Sequence, residues 1–179
     1  MAKQVDITYG NALFELALEE GKIDSLYEET VALIDILRDN QELIKLLSHP
    51  QVSKDEKHKI VTNSFDGRVA DELTGLIAMV VDKGHVNELI SILNYFVKQV
   101  KKEKNIGVAT VASAIELSDS QKQAIEQRLI ETTVYDTMET HYSVDKSLIG
   151  GLVIRIEDRV VDSSIKTKLE NMSRTLANA

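Results

Sequence analysis

Four histidines, one glycine pair and a surplus of carboxylates are the residues of this 179-residue chain whose types could support chemistry. The histidines are His49, His58, His85 and His141. A helical metal pair needs imidazoles three or four positions apart on one face, and none of these is so spaced. His49 and His85 fall at expected helix ends, where an imidazole can bond terminal carbonyls, so all four read as structural or surface groups. Gly150-Gly151 does not lead into Gly-Lys-Ser or Gly-Lys-Thr, so no nest for a triphosphate is indicated. The pair reads instead as a tight turn or a close approach into a following strand. No serine sits in a nucleophile-elbow pattern. The absence of Cys excludes disulfides, thiolate nucleophiles and Cys-based metal sites. The carboxylate pairs Glu19-Glu20, Glu28-Glu29 and Asp71-Glu72 read as solvated helix faces, because a general acid needs a desolvated carboxyl and nothing in the pattern indicates burial. No catalytic, cofactor or metal residue is therefore assigned. An enzyme with a site assembled from scattered residues stays open as a minor reading.

Net charge is −8, which opposes nucleic-acid binding and adsorption to anionic lipid. The one dense basic run, Lys98, Lys101, Lys102 and Lys104, falls at the end of an expected helix and complements its dipole. The start of the chain has no apolar signal region. The longest apolar runs, Gly75 to Val81 and Leu148 to Ile154, fall far short of the ~20 residues of a spanning helix. The expectation is a soluble chain that reaches a membrane only through a partner.

The elements that must position any site fall into two groups. Up to about Glu103 the chain reads as six helices, with one proline, Pro50, and no Trp. Helix one covers about Val5 to Glu20 and stops at Gly21. Helix two covers Ile23 to Arg38, and a short third helix ends before Pro50. Ser53-Lys54-Asp55-Glu56 is a capping box opening helix four. Helix five follows Gly67 and is expected to hold Val69, Leu73, Leu76, Ile77, Val80 and Val81. Helix six carries Val86, Leu89, Leu93 and Val97. From about Asn105 the texture changes. Ile106 to Ile115 reads as a strand, Ser118 to Gln121 as a second capping box, and Met138 to Val144 and Leu152 to Ile156 as alternating strands. A hairpin through Glu157-Asp158-Arg159 and a helix from about Ser163 complete the chain. The fold class is thus mainly α: a six-helix bundle over residues 1–104, then a small α/β domain over residues 105–179.

Helix five carries apolar or small residues beyond its core stripe: Gly75, Ala78 and Met79, of which Gly75 and Met79 are one turn apart. Helix one likewise pairs Tyr9 with Ala12. Such residues either complete the bundle core or line a groove for a partner helix, since Gly and Ala admit a close backbone and Met adapts to its shape.

The chain as a whole resembles the delta subunit family of F-type ATP synthases, related to the oligomycin-sensitivity-conferring protein of mitochondria. The start, Tyr9-Gly10-Asn11-Ala12-Leu13-Phe14, is similar to the family's opening helix. Asp145-Lys146-Ser147-Leu148-Ile149-Gly150-Gly151-Leu152-Val153-Ile154-Arg155, with Asp158 and Val161-Asp162-Ser163-Ser164, resembles its signature near the carboxy terminus. Ser163 stands where the family usually has Gly, and Ser is expected to cap the last helix instead. The resemblance implies a non-catalytic stator subunit that ties the catalytic head to the peripheral stalk. It implies one copy per complex, without membrane insertion, at the cytoplasmic face of the cell membrane, during proton-driven ATP synthesis. It also implies that the amino-terminal helix of an alpha subunit docks on Tyr9, Ala12 and Met79, with Gly75 and Ala78 added by the face argument. The carboxy-terminal domain would meet the b subunits, with Leu152 to Ile156 and the last helix as candidates. Without the resemblance, the residues fit a stand-alone helical scaffold or regulator that binds an amphipathic helix.

Overall fold

A computed structural model describes residues 2–177, with side chains over residues 4–176. The chain divides into two compact units between Lys101 and Lys102. The first holds α1 (Ala2–Glu19), α2 (Ile23–Asp39), α3 (Gln41–Ser48), α4 (Lys54–Phe65), α5 (Asp71–Asp82), a 3-10 turn (Val86–Glu88) and α6 (Leu89–Glu103). The second holds β1 (Ile106–Ser113), α7 (Asp119–Thr132), β2 (Thr137–Val144), a 3-10 turn (Lys146–Leu148), β3 (Leu152–Ile156), β4 (Arg159–Asp162) and α8 (Ile165–Ala177). The helical bundle and the small α/β unit expected from the sequence are both present.

Burial of helix stripes holds the first unit together. Leu26, Leu33 and Leu37 of α2, Leu73 and Ile77 of α5, and Leu93 of α6 are among the fully buried side chains of one continuous cluster. Each completely buried Leu or Ile contributes roughly 1.5–3 kcal/mol relative to exposure. Gly10 lets α1 lie close to α6, because a Cβ there would come within 2.5 Å of the Tyr95 ring and 3.3 Å of the Ile92 carbonyl oxygen. The capping box at Ser53 forms in both directions: Glu56 N–H donates to Ser53 Oγ at 3.3 Å, and Ser53 N–H donates to Glu56 Oε2 at 3.0 Å.

Some boundaries differ from expectation. Val86 lies in the 3-10 turn ahead of α6, which begins at Leu89. Val69 lies before α5, which begins at Asp71. The Ala70 N–H ahead of that helix donates to Glu29 Oε2 at 2.7 Å, so a side chain 41 positions upstream fixes the start. β1 ends at Ser113, not Ile115: the Ser113 hydroxyl turns back to the Ile115 carbonyl, and the Ser113 carbonyl accepts from Asp145 N–H at 2.7 Å.

The sheet of the second unit has the order β2-β1-β3-β4. β1 pairs parallel with β2, from Ile106 opposite Thr137 to Ser113 opposite Val144, and α7 makes the crossover. β3 pairs antiparallel with β1 and forms a hairpin with β4. Ala109 and Val111 of the central strand are buried, whereas every residue of β4 is exposed. The second capping box forms at Ser118, whose N–H donates to Gln121 Oε1 at 2.9 Å.

Candidate docking surfaces

In the helical unit the sequence-selected residues sit on two helices that pack against each other, α1 and α5. Tyr9, Ala12 and Leu16 form an i, i+3, i+7 row on α1, and Glu72, Gly75 and Met79 form the same row on α5. The two rows are fastened at opposite ends. The Tyr9 ring lies 6.3 Å from the His85 ring, just past α5. Lys22, just past α1, bonds Glu72 and also lies 2.7 Å from Glu20. Tyr9 meeting His85 while Lys22 meets Glu72 is an antiparallel arrangement. With equal rise on both helices, the middle of the seam falls near Leu16 on one side and Met79 on the other.

Along this seam the five residues divide. Met79 is 52% exposed, Ala12 and Gly75 are exposed, and a Cβ built at Gly75 meets open space. Tyr9 and Ala78 are half-buried and pack against the core cluster. Ala12, Gly75 and Met79 therefore offer free small and apolar surface, and Tyr9 and Ala78 belong partly to the wall behind it. Leu16, half-buried, continues the row of Tyr9 and Ala12 by one more turn. Extending the i, i+3 pair by one more turn would have found it.

Not all the carboxylates are a solvated face. The Glu72 side chain is only 10% exposed. Hydrogen bonding from Lys22, then from its own backbone N–H, holds its pKa down to about 2. The same pairing, led by Glu20 and then Glu72, raises the Lys22 ammonium above its ordinary value. Glu29 is the acceptor that starts α5. Both acids order the helices beside the seam. The histidines act as polar surface partners: His58 Nε2 lies 2.8 Å from Asp82, His141 Nε2 lies 3.1 Å from Glu139, and His49 Nδ1 accepts from Gln51 N–H at 3.2 Å. His49 thus accepts a bond at its helix end instead of donating to a carbonyl. Among the described residues no cluster of His, Asp or Glu could hold a metal ion.

In the second unit the Asp145 to Leu152 segment is a buckle. Asp145 Oδ1 accepts from Ser147 N–H at 2.9 Å, Leu148 is buried, and Ile149 adopts a φ of 65° with its side chain 65% exposed. The Gly150 carbonyl accepts from Ile165 N–H at 2.9 Å. Gly151 has a φ of 79°, and a Cβ there would come within 2.5 Å of the Ser163 carbonyl oxygen. The glycine pair therefore serves close packing of the start of α8 on the start of β3. The cap of α8 is Ser164, not Ser163. Thr167 N–H donates to Ser164 Oγ at 3.2 Å, and Asp162 Oδ1 accepts from Ser164 N–H at 2.8 Å. Hydrogen bonding from Ser164 first, and then from the Thr167 hydroxyl at 2.7 Å, holds the Asp162 carboxyl below its usual pKa. Beside the buckle lies an open, mainly apolar cleft of about 510 Å³, whose walls include Ile115, Leu117, Ile125, Ile149 and Leu152.

The buckle and the α1–α5 seam lie at the two stretches that carry the sequence resemblance. The profile of the family described as ATP synthase delta (OSCP) subunit matches residues 5–176. The chain belongs to this family. A protein of Lachnoclostridium phytofermentans named ATP synthase subunit delta is 48% identical over 176 residues, 98% of this chain and 97% of its own. One of the same name from Prochlorococcus marinus is 30% identical over 177 residues, covering 99% and 98%. The fold matches one chain of a cryo-EM structure of the Toxoplasma gondii mitochondrial ATP synthase hexamer, with a TM-score of 0.77 and 17% identity over 96% of this chain and 97% of that one. No described helix is long and apolar enough to cross a membrane.

Proposed function

We propose that this chain is the non-catalytic connector of an F-type ATP synthase, holding the alpha/beta catalytic head to the b subunits of the peripheral stalk at the cytoplasmic face of the membrane. The observation that carries the reading is the end-to-end match to the delta family combined with an exposed row of small and apolar residues along α1 and α5. Rotation driven by proton flow exerts torque on the head, and the stator must resist it. The amino-terminal helix of an alpha subunit fits the seam as a helix in a groove: Ala12 and Gly75 admit its backbone, and Met79, Leu16 and Tyr9 shape the walls. The second unit supplies the contact to the stalk. Two attachments on one chain reinforce each other through effective concentration. No group on the chain has to touch nucleotide or move a proton.

Isothermal titration with a peptide from the amino terminus of the alpha subunit tests the groove. The expected result is one-to-one binding with a negative heat-capacity change. Met79→Asp places an unpaired charge in the apolar seam and should weaken binding by about 3 kcal/mol, roughly a hundredfold. Unchanged affinity in a folded Met79→Asp protein would remove the seam as the docking site.

A further inference from the structure

The sheet of the second unit ends on two edges of different length. β4 is four residues long, whereas β2 runs for eight, and among the described residues no strand pairs with its outer side. The N–H and C=O groups along such an edge are a template for another strand. The side chains of β2 divide between two faces. The Thr140 and Tyr142 hydroxyls both donate to Glu126 of α7, Tyr142 at 3.1 Å, so the even-numbered residues lie under that helix. Glu139 and His141 belong to the other face, where His141 Nε2 lies 3.1 Å from Glu139. The Tyr142 hydroxyl also lies 3.2 Å from the Lys122 carbonyl, whereas Ile125 shares a cleft with Leu152 of β3. The Lys122 and Glu126 side of α7 is therefore over β2. One step further round the helix, away from β3, come Gln123, Gln127 and Ile130, and Ile130 is 42% exposed. An apolar residue thus stands above the open edge.

We propose that the outer edge of β2 pairs with the same edge of a second copy of this chain, antiparallel about a two-fold axis at Thr140, when the chain is outside the complex. The chemistry of the strand selects both occupant and register. A two-fold axis through an antiparallel edge keeps each face on its own side, so residues that meet must share a face, and the axis passes through a residue rather than between two. An axis at Glu139 opposes two carboxylates, and one at His141 opposes two imidazoles. An axis at Thr140 opposes Glu139 to the second copy's His141 twice, Met138 to Tyr142 twice, and Thr137 to Ser143 twice. Axes nearer the ends of the strand pair fewer residues. Acid against imidazole and sulfur against an aromatic ring are favourable neighbours, and like charges directly opposite are not. On the helix side the two α7 helices meet through Ile130. The paired stretch, Thr137 to Ser143, spans about 23 Å. A contact of this length belongs with the small, transient interfaces, so association rises with concentration. The inference goes beyond the connector reading and uses neither the α1–α5 seam nor α8.

Sedimentation equilibrium of the full chain, from micromolar to near-millimolar concentration, tests this. The average mass should rise from that of one chain toward that of two. Glu139→His sets imidazole against imidazole and should weaken association about tenfold, one unit in the logarithm of the constant. Adding His141→Glu restores the same pair in reverse and should restore association. The chain has no Cys, so Thr140→Cys should give a disulfide-linked dimer on oxidation. Thr137→Cys should not, because its two copies lie six residues apart along the ribbon, beyond the reach of a disulfide. Leu169→Asp, on the exposed row of α8, should leave association unchanged. A mass of one chain at every concentration overturns the proposal. Association that Glu139→His leaves intact, or that the double variant fails to restore, overturns the register and the β2 edge with it. Loss of association in Leu169→Asp assigns self-association to α8 and overturns the β2 edge as well. Titration with the alpha peptide reads the connector function separately, so neither result decides the other.

Discussion

Among the described residues, the helical unit buries twenty-one apolar side chains in one cluster and leaves six large ones exposed, whereas the unit that follows buries four and exposes eleven. The first unit is a bundle whose stripes converge, so burial satisfies each helix from within. The second is a four-stranded sheet with a fully exposed edge strand and a helix attached by its first turn. It exposes more large apolar residues than it buries, the arrangement expected of a unit completed by a partner. Stability should therefore be uneven, high in the bundle and low beyond Lys101, and rising in the second unit when its partner binds.

The largest effect is expected from truncation in the bundle. Leu93→Ala in α6 should cost about 2–5 kcal/mol by leaving a cavity, while Val160→Ala on the exposed edge strand should stay within about 0.5 kcal/mol. Urea denaturation measures both, and equal costs would break the contrast. Next in size is Gly151→Ala, which combines a left-handed backbone costing roughly 1–2 kcal/mol with a contact on the Ser163 carbonyl. It should unfold the second unit and leave the amide resonances of α1 to α6 unmoved. A loss of signal across the whole chain would mean that the two units are not energetically separate.

The smallest effect belongs to the ionic fastening beside the α1–α5 seam. The Glu72 pKa is lowered in the folded chain to about 2. Between there and the usual carboxyl range the unfolded chain binds more protons, so this contribution is present above that range and is lost as pH falls through it. The Lys22 ammonium, raised on folding, contributes in the opposite sense and is lost only as pH rises past the normal lysine range. Glu72→Gln should flatten the acid limb of thermal stability measured from about pH 6 to pH 2.5. An unchanged acid limb would show that the seam does not depend on this fastening.

How much of this was legible beforehand follows the range of the interaction. The boxes at Ser53 and Ser118 were readable because each closes within four residues, and the stripes of α2 and α6 because a helix repeats every 3.6 residues. The start of α5 was not readable, since its acceptor is Glu29 on another helix. Nor was the half-buried position of Glu72, which looks on paper like any other solvated acid. The last cap was read one residue early, at Ser163, because both serines satisfy the local pattern and only the packing of Gly151 on the Ser163 carbonyl assigns the cap to Ser164. The candidate seam was legible as Gly75 with Met79 and Tyr9 with Ala12, but Leu16 was not, because periodicity alone does not say whether an apolar residue beside a core stripe packs inward or lines the row next to it.

By itself the sequence determined the two-part architecture, the helix and strand types and the family, because these rest on periodicity, local capping and ordered motifs that need no distant contact. The tertiary structure alone decided which apolar residues are left uncovered. Exposure depends on what packs against each face: α1 and α5 leave Met79 and Gly75 open between two fastened ends, and α8 packs by its first turn on the Gly150-Gly151 turn while Leu169, Met172 and Leu176 stay open.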